Sequence, residues 1–102
     1  MEINLSVKKN VRKYWKRRLR RAREKLAELQ TQREYQRYDL ALAKQVLHQA
    51  QDKEQREYWQ MQVEFLAWDV HQIKEQIAEE HSEIAHCQAI LAAIRADLKA
   101  GE

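Results

Sequence analysis

The amino-acid sequence predicts an all-α protein, a long antiparallel two-helix hairpin of coiled-coil type that dimerises into a helical bundle. Three observations predict it. Among 102 residues Gly and Pro together amount to one, Gly101, whereas β and α/β domains depend on turns that lean on both. Ala, Leu, Gln, Glu, Lys and Arg dominate the composition, and all are strong helix formers. Apolar residues recur in steps of three and four along two separate stretches, the spacing of a helical seam.

The elements follow in chain order within a single domain. Residues 1–5 read as an N-terminal tail, and helix 1 is expected over 6–50. Its apolar stripe runs Val7, Val11, Trp15, Leu19, Ala22, Leu26, Leu29, Leu40, Ala43, Leu47 and Ala50. In heptad letters Leu19, Leu26, Leu40 and Leu47 share position a, while Trp15, Ala22, Leu29, Ala43 and Ala50 share d. Arg33 and Gln36 interrupt the seam at its middle. Thr31 followed by Glu34 fits a capping box and offers an alternative break there, but the seam keeps its register across it.

A turn is expected at 51–53 and helix 2 at 53–99. Nine residues separate Ala50 from Trp59 where an unbroken heptad takes seven, and the residues between are wholly polar. Asp52 and Gln55 have the spacing of a capping box, in which a side-chain oxygen satisfies free amides of a new helix. The second seam runs Trp59, Val63, Leu66, Val70, Ile73, Ile77, Ile84, Cys87, Leu91, Ile94 and Leu98, with Glu80 its one charged member. The helices are thus about 45 and 47 residues long, and equal lengths suit a hairpin better than the alternative, a single rod over 6–99. Folding back also sets Glu75, Glu79, Glu80 and Glu83 beside Arg20 to Leu29, with Glu80 facing Arg23 or Lys25.

Charge is the strongest functional signal. Residues 8–25 hold eleven of the nineteen basic residues and a single acid, Glu24, for a local +10, and the rest of the chain sums to −7. Like charges this dense repel one another unless an anion meets them. Nucleic-acid phosphate is the expected anion, because neutralising it releases counterions without need of sequence specificity. The expected contacts are Lys9, Arg12, Lys13, Lys16, Arg17, Arg20, Arg21 and Arg23, with Tyr14 able to stack on a base. An acidic protein surface is the alternative. Asn10 and Arg18 have the spacing found in basic leucine-zipper proteins, but Lys13 and Tyr14 replace that pattern's small residues and Glu28 its first zipper leucine. That family is excluded.

A second apolar stripe lies off the seam. Tyr35, Tyr38 and Leu42 on helix 1, and Tyr58, Met61, Phe65 and Trp68 on helix 2, fall at c and f positions. A two-helix hairpin has no third layer for them, so they are expected to form a partner interface. The first candidate partner is a second copy of the chain, and the other is the surface of a larger macromolecular machine gripped by a small adaptor or inhibitor.

Catalytic, cofactor, metal and small-molecule sites are not expected. Glu83 and His86 have the Glu-x-x-His spacing of di-iron bundles, but they fall at g and c rather than in a core. Cys87 sits on the seam as a small core residue and cannot form an internal disulfide. The longest apolar run, Ala89 to Ile94, is too short to span a membrane, and residues 1–5 lack the apolar core of a secretory signal. A reducing cytoplasm is the expected location.

Overall fold

The structure is a computed structural model that describes residues 3–101. It consists of α1, Leu5–Gln49, and α2, Lys53–Ala100, of 45 and 48 residues, paired antiparallel as a hairpin with no strand among the described residues. Met1 and Glu2 of the expected tail lie outside the described residues. Asn4 starts α1: its side chain accepts a 2.7 Å hydrogen bond from the Ser6 amide, satisfying one of the amides that a helix start leaves free. Leu5 is therefore helical rather than part of a tail.

α1 continues without a break through Thr31. Only Ala50, Gln51 and Asp52 leave helical conformation between the two helices, which excludes the single rod. The Ala50 amide closes α1 with a tighter bond to the Leu47 carbonyl at 3.2 Å. Asp52 then caps α2, its Oδ1 accepting from the Gln55 amide at 2.8 Å. No described residue has a positive φ, so the turn asks nothing that only glycine supplies.

The chain divides into two compact units, each containing part of both helices. The terminal unit joins Met1–Ala27 to Glu79–Glu102, and the turn unit is Glu28–Ala78. In the terminal unit Ala22 and Cys87 are buried, flanked by half-buried Trp15, Leu19, Leu26, Ile84, Leu91, Ile94 and Leu98. In the turn unit Leu29, Ala43, Ile73 and Ile77 are buried, with Leu40, Leu47, Trp59, Val63, Leu66 and Val70 half-buried around them. Arg33 and Gln36 occupy the seam here, and the buried Arg33 Nε and Gln36 Oε1 have no hydrogen-bond partner. The mid-seam interruption is thus a real polar layer.

One stretch of the expected seam is corrected. Val7 and Val11 are 50% and 41% exposed, while Lys8 and Arg12 are half-buried. Two successive steps of four before Trp15 drift away from the seam, because each advances the helix by about 40° more than a full turn. Strict heptads put Arg12 at a and Lys8 at d. No helix of the described residues is long and apolar enough to cross a membrane.

Candidate nucleic-acid interface

The basic residues of α1 divide into two groups within the terminal unit. Lys8, Arg18 and Lys25 each meet an acid of α2. Lys8 Nζ lies 2.9 Å from Asp97, and Lys25 Nζ lies 3.4 Å from Glu80; Lys25, not Arg23, is the partner of the charged seam residue. Arg18 is held most firmly. It donates through Nε and Nη2 to the two carboxylate oxygens of Glu83, the second bond at 3.1 Å, a bidentate pairing that fixes orientation as well as distance. Its guanidinium also lies 4.8 Å from the centre of the Trp15 ring, within reach of a cation–π attraction.

Chemistry at the pair follows from this geometry. The hydrogen bonds to Arg18 hold the Glu83 carboxyl below the usual range, and the same contact raises the Arg18 guanidinium further above its ordinary value. Cys87 donates from Sγ to Glu83 at 3.6 Å. Burial first, and the charge on Glu83 second, push that thiol up, away from the reactive thiolate. Trp15 completes the cluster edge-on, 5.4 Å from both Tyr14 and His86. Glu83 and His86 therefore serve Arg18 and Trp15, and the described residues hold no group of three His, Cys, Asp or Glu side chains able to bind a metal.

These contacts show which flanks of the helices meet. Arg18 and Glu83 both stand at heptad position g, so the two g flanks share one side of the helix pair. That side is electrically balanced, and its open groove mixes Arg18, Arg21 and Lys25 with Glu79, Glu80 and Glu83. The e flanks share the opposite side. There α1 contributes Lys9, Lys16 and Arg23, and α2 contributes His81, Gln88 and Arg95; all six are exposed and none is an acid.

The eight basic residues expected to contact phosphate are thus brought to one unit. None of Lys9, Arg12, Lys13, Lys16, Arg17, Arg20, Arg21 and Arg23 pairs with an acid among the described residues, and all but half-buried Arg12 are exposed. The three basic residues of 8–25 left out of that set are the three that α2 neutralises. Tyr14 is half exposed, with its ring edge-on to Trp15. Arg95 escapes a reading by charge density because it stands alone in an apolar stretch of α2. Only its e position, opposite the e residues of α1, reveals it.

The second set of expected site residues lies wholly in the turn unit. Tyr35, Tyr38, Tyr58, Phe65 and Trp68 are between 55% and 70% exposed, and Leu42 and Met61 are 41% and 54% exposed. Met61, Phe65 and Trp68 line an open groove edged by Glu64 and Asp69. Val46, 38% exposed, is a further uncovered apolar residue of this unit; one apolar residue at g carries no helical-period signal of its own. No protein-family model, curated protein or solved structure matches the chain, so the reading of both surfaces rests on these residues.

Proposed function

We propose that this is a non-enzymatic interaction protein whose terminal unit associates with nucleic-acid phosphates. The observation that supports this reading is the unequal use of charge. The acids of α2 neutralise Lys8, Arg18 and Lys25 on one side of the helix pair. The e side and the outer face of α1 keep their charge. A solvated helix that served only to hold the hairpin would interleave signs at i,i+4 spacing. A row of exposed Arg and Lys on a rigid helix instead presents fixed forks to phosphate oxygens. The contacts are sequence-independent, since nothing here offers a built base-reading pocket, and Tyr14 supplies a half-exposed ring for stacking. A lone buried cysteine suits a cytoplasmic setting.

Binding of fluorescent duplex DNA and of single-stranded RNA across a salt series tests the reading. The wild type is compared with a variant carrying Arg17→Glu, Arg20→Glu and Arg21→Glu. Binding at micromolar concentration or tighter is expected, with log K falling by about 0.9 per phosphate contact for each decade of salt on duplex. The variant should lose it. Absence of binding by the wild type at low salt overturns the reading and leaves an acidic protein surface as the anion that the basic side meets.

A further inference from the structure

The turn unit has more acids than bases, yet it does not spread them evenly around its helices. Its nine acids stand in the turn, at Asp52, or at heptad positions b, c, f and g. None stands at e. There α1 has Gln30, Arg37 and Lys44, and α2 has Lys53, Gln60, Ala67 and Lys74, all exposed. The terminal unit repeats the pattern with Lys9, Lys16 and Arg23 facing the flank of His81, Gln88 and Arg95. No e position of α1 or α2 holds an acid, whereas the g positions include Asp39, Asp69, Glu83 and Asp97.

Two antiparallel helices that face each other through a and d bring e beside e on one side and g beside g on the other. Every buried residue of both units stands at a or d, so each unit has one side that draws bases from both helices and holds no acid. In the terminal unit the level is fixed by a neighbouring ion pair: Lys8, which precedes Lys9, meets Asp97, two residues beyond Arg95. Nor does pairing along one helix remove the charge. Arg95, Lys44 and Lys74 have no acid three or four residues away, where a helical neighbour sits. Arg37 and Lys53 do, 3.6 Å from Glu34 and 3.9 Å from Glu57, but all four side chains are more than half exposed and surface pairs of this kind are weak. Bases gathered on one side of a helix pair repel one another, and an anion laid along that side relieves them together.

We infer that the e side binds phosphates in each unit and that α2 supplies part of it, Arg95 in the terminal unit and Lys74 in the turn unit. This assignment rests on the nucleic-acid reading above and widens it, since the eight contacts named there all belong to the basic stretch of α1. Lys13 and Arg20 stand at b, beside the e positions of α1. The phosphate contacts of the terminal unit therefore form one surface, from the outer face of α1 across the e side to Arg95. Gln88 and His81 add N–H donors along it. The ligand is a phosphodiester chain and not a single nucleotide. Positions e recur every seven residues, about 10.5 Å along a helix, so a compact anion meets one base of a row. A strand of duplex, with a phosphate about every 3.4 Å of its axis, meets several.

Titration of the full chain with fluorescent duplex DNA across a salt series tests this, using variants matched in charge. Arg95→Gln is paired with Ala96→Glu, the next residue, exposed at f on the outer face of α2. Lys74→Gln is paired with Gln76→Glu, exposed at g. Every variant lowers the net charge by one and places a strong helix former at an exposed site, so only the side of the helix pair differs. Each e-side variant should lower the salt slope by about 0.9 and weaken binding about eightfold at 0.1 M salt, one decade below 1 M. The f and g variants should leave the slope unchanged. A mononucleotide at equal phosphate concentration should not displace the duplex; displacement overturns the assignment of a chain as the ligand. Equal losses within each matched pair overturn the e side and leave the contacts of α1 standing. A loss at Arg95→Gln without one at Lys74→Gln overturns the assignment for the turn unit and supports it for the terminal unit. Wild type that binds no DNA or RNA at low salt overturns this assignment and the nucleic-acid reading together.

Discussion

The terminal unit and the turn unit are made from the same two helices and follow the same heptads, yet they spend their non-seam positions differently. The terminal unit as a whole is rich in positive charge: thirteen basic residues stand against seven acids, for a net +6. In the turn unit nine acids outweigh six basic residues, for a net −3, and seven outward c and f positions carry large apolar side chains, Tyr35, Tyr38, Leu42, Tyr58, Met61, Phe65 and Trp68. The buried residues differ too. Ala22 and Cys87 centre the terminal unit, whereas Leu29, Ile73 and Ile77 join Ala43 in the turn unit. The comparison teaches that a seam sets the pairing of two helices while leaving their outer faces free to differ, charged in one unit and largely apolar at several positions in the other.

The largest effect expected from a single truncation lies in the turn unit. Ile77 is 6% exposed, and Ile77→Ala removes buried carbon while leaving a void, at a cost of about 2–5 kcal/mol. Cys87→Ala, at the fully buried centre of the terminal unit, removes one sulfur atom and should cost clearly less. Urea denaturation of both variants at one fixed protein concentration checks the order. Equal losses would break the distinction between a large-residue core and a small-residue core.

A smaller, pH-dependent effect is expected in the terminal unit. Arg18 lowers the Glu83 carboxyl from its ordinary value of 4.5. A carboxyl lowered by folding contributes stability that is present in full above the unfolded value. That contribution is lost as pH falls through the folded one. Glu83→Gln should therefore melt below the wild type at pH 7, and the gap should close on acidification below 4.5. Thermal melts of both proteins at pH 7 and pH 3 check it. A gap that is unchanged at pH 3 would mean that Glu83 acts by its shape and not by its charge.

Much of this was legible in the residues. The absence of Gly and Pro, the phase shift between Ala50 and Trp59, and Asp52 three residues before Gln55 predict the hairpin, its turn and its cap. Every residue expected on the α2 seam is buried or half-buried. The legible part is what period alone dictates, since a seam of three and four admits one face. The charge pairing was not legible in detail. Which of eleven basic residues α2 neutralises depends on heptad flank, and that needs the register of one helix against the other. Glu83 at g selects Arg18 at g; density along the chain shows only that both signs are present. Arg95 escaped for the same reason, being a single residue that gains meaning only from the helix opposite.

Val11 marks the limit of the periodic reading and gives the smallest expected effect. Steps of four from Trp15 place it on the stripe, whereas strict heptads place it at g, and it is 41% exposed. On a buried seam Val11→Ala would forfeit two carbons, about 1.6 kcal/mol at roughly 0.8 for each. At an exposed helical position the change should stay within about 0.5 kcal/mol, and the better helix propensity of Ala offsets part of what is lost. Chemical denaturation of Val11→Ala beside wild type distinguishes the two. A loss above about 1 kcal/mol would return Val11 to the seam. It would displace Lys8 and Arg12 from it, and with them the register that leaves the e side of the terminal unit free of acids.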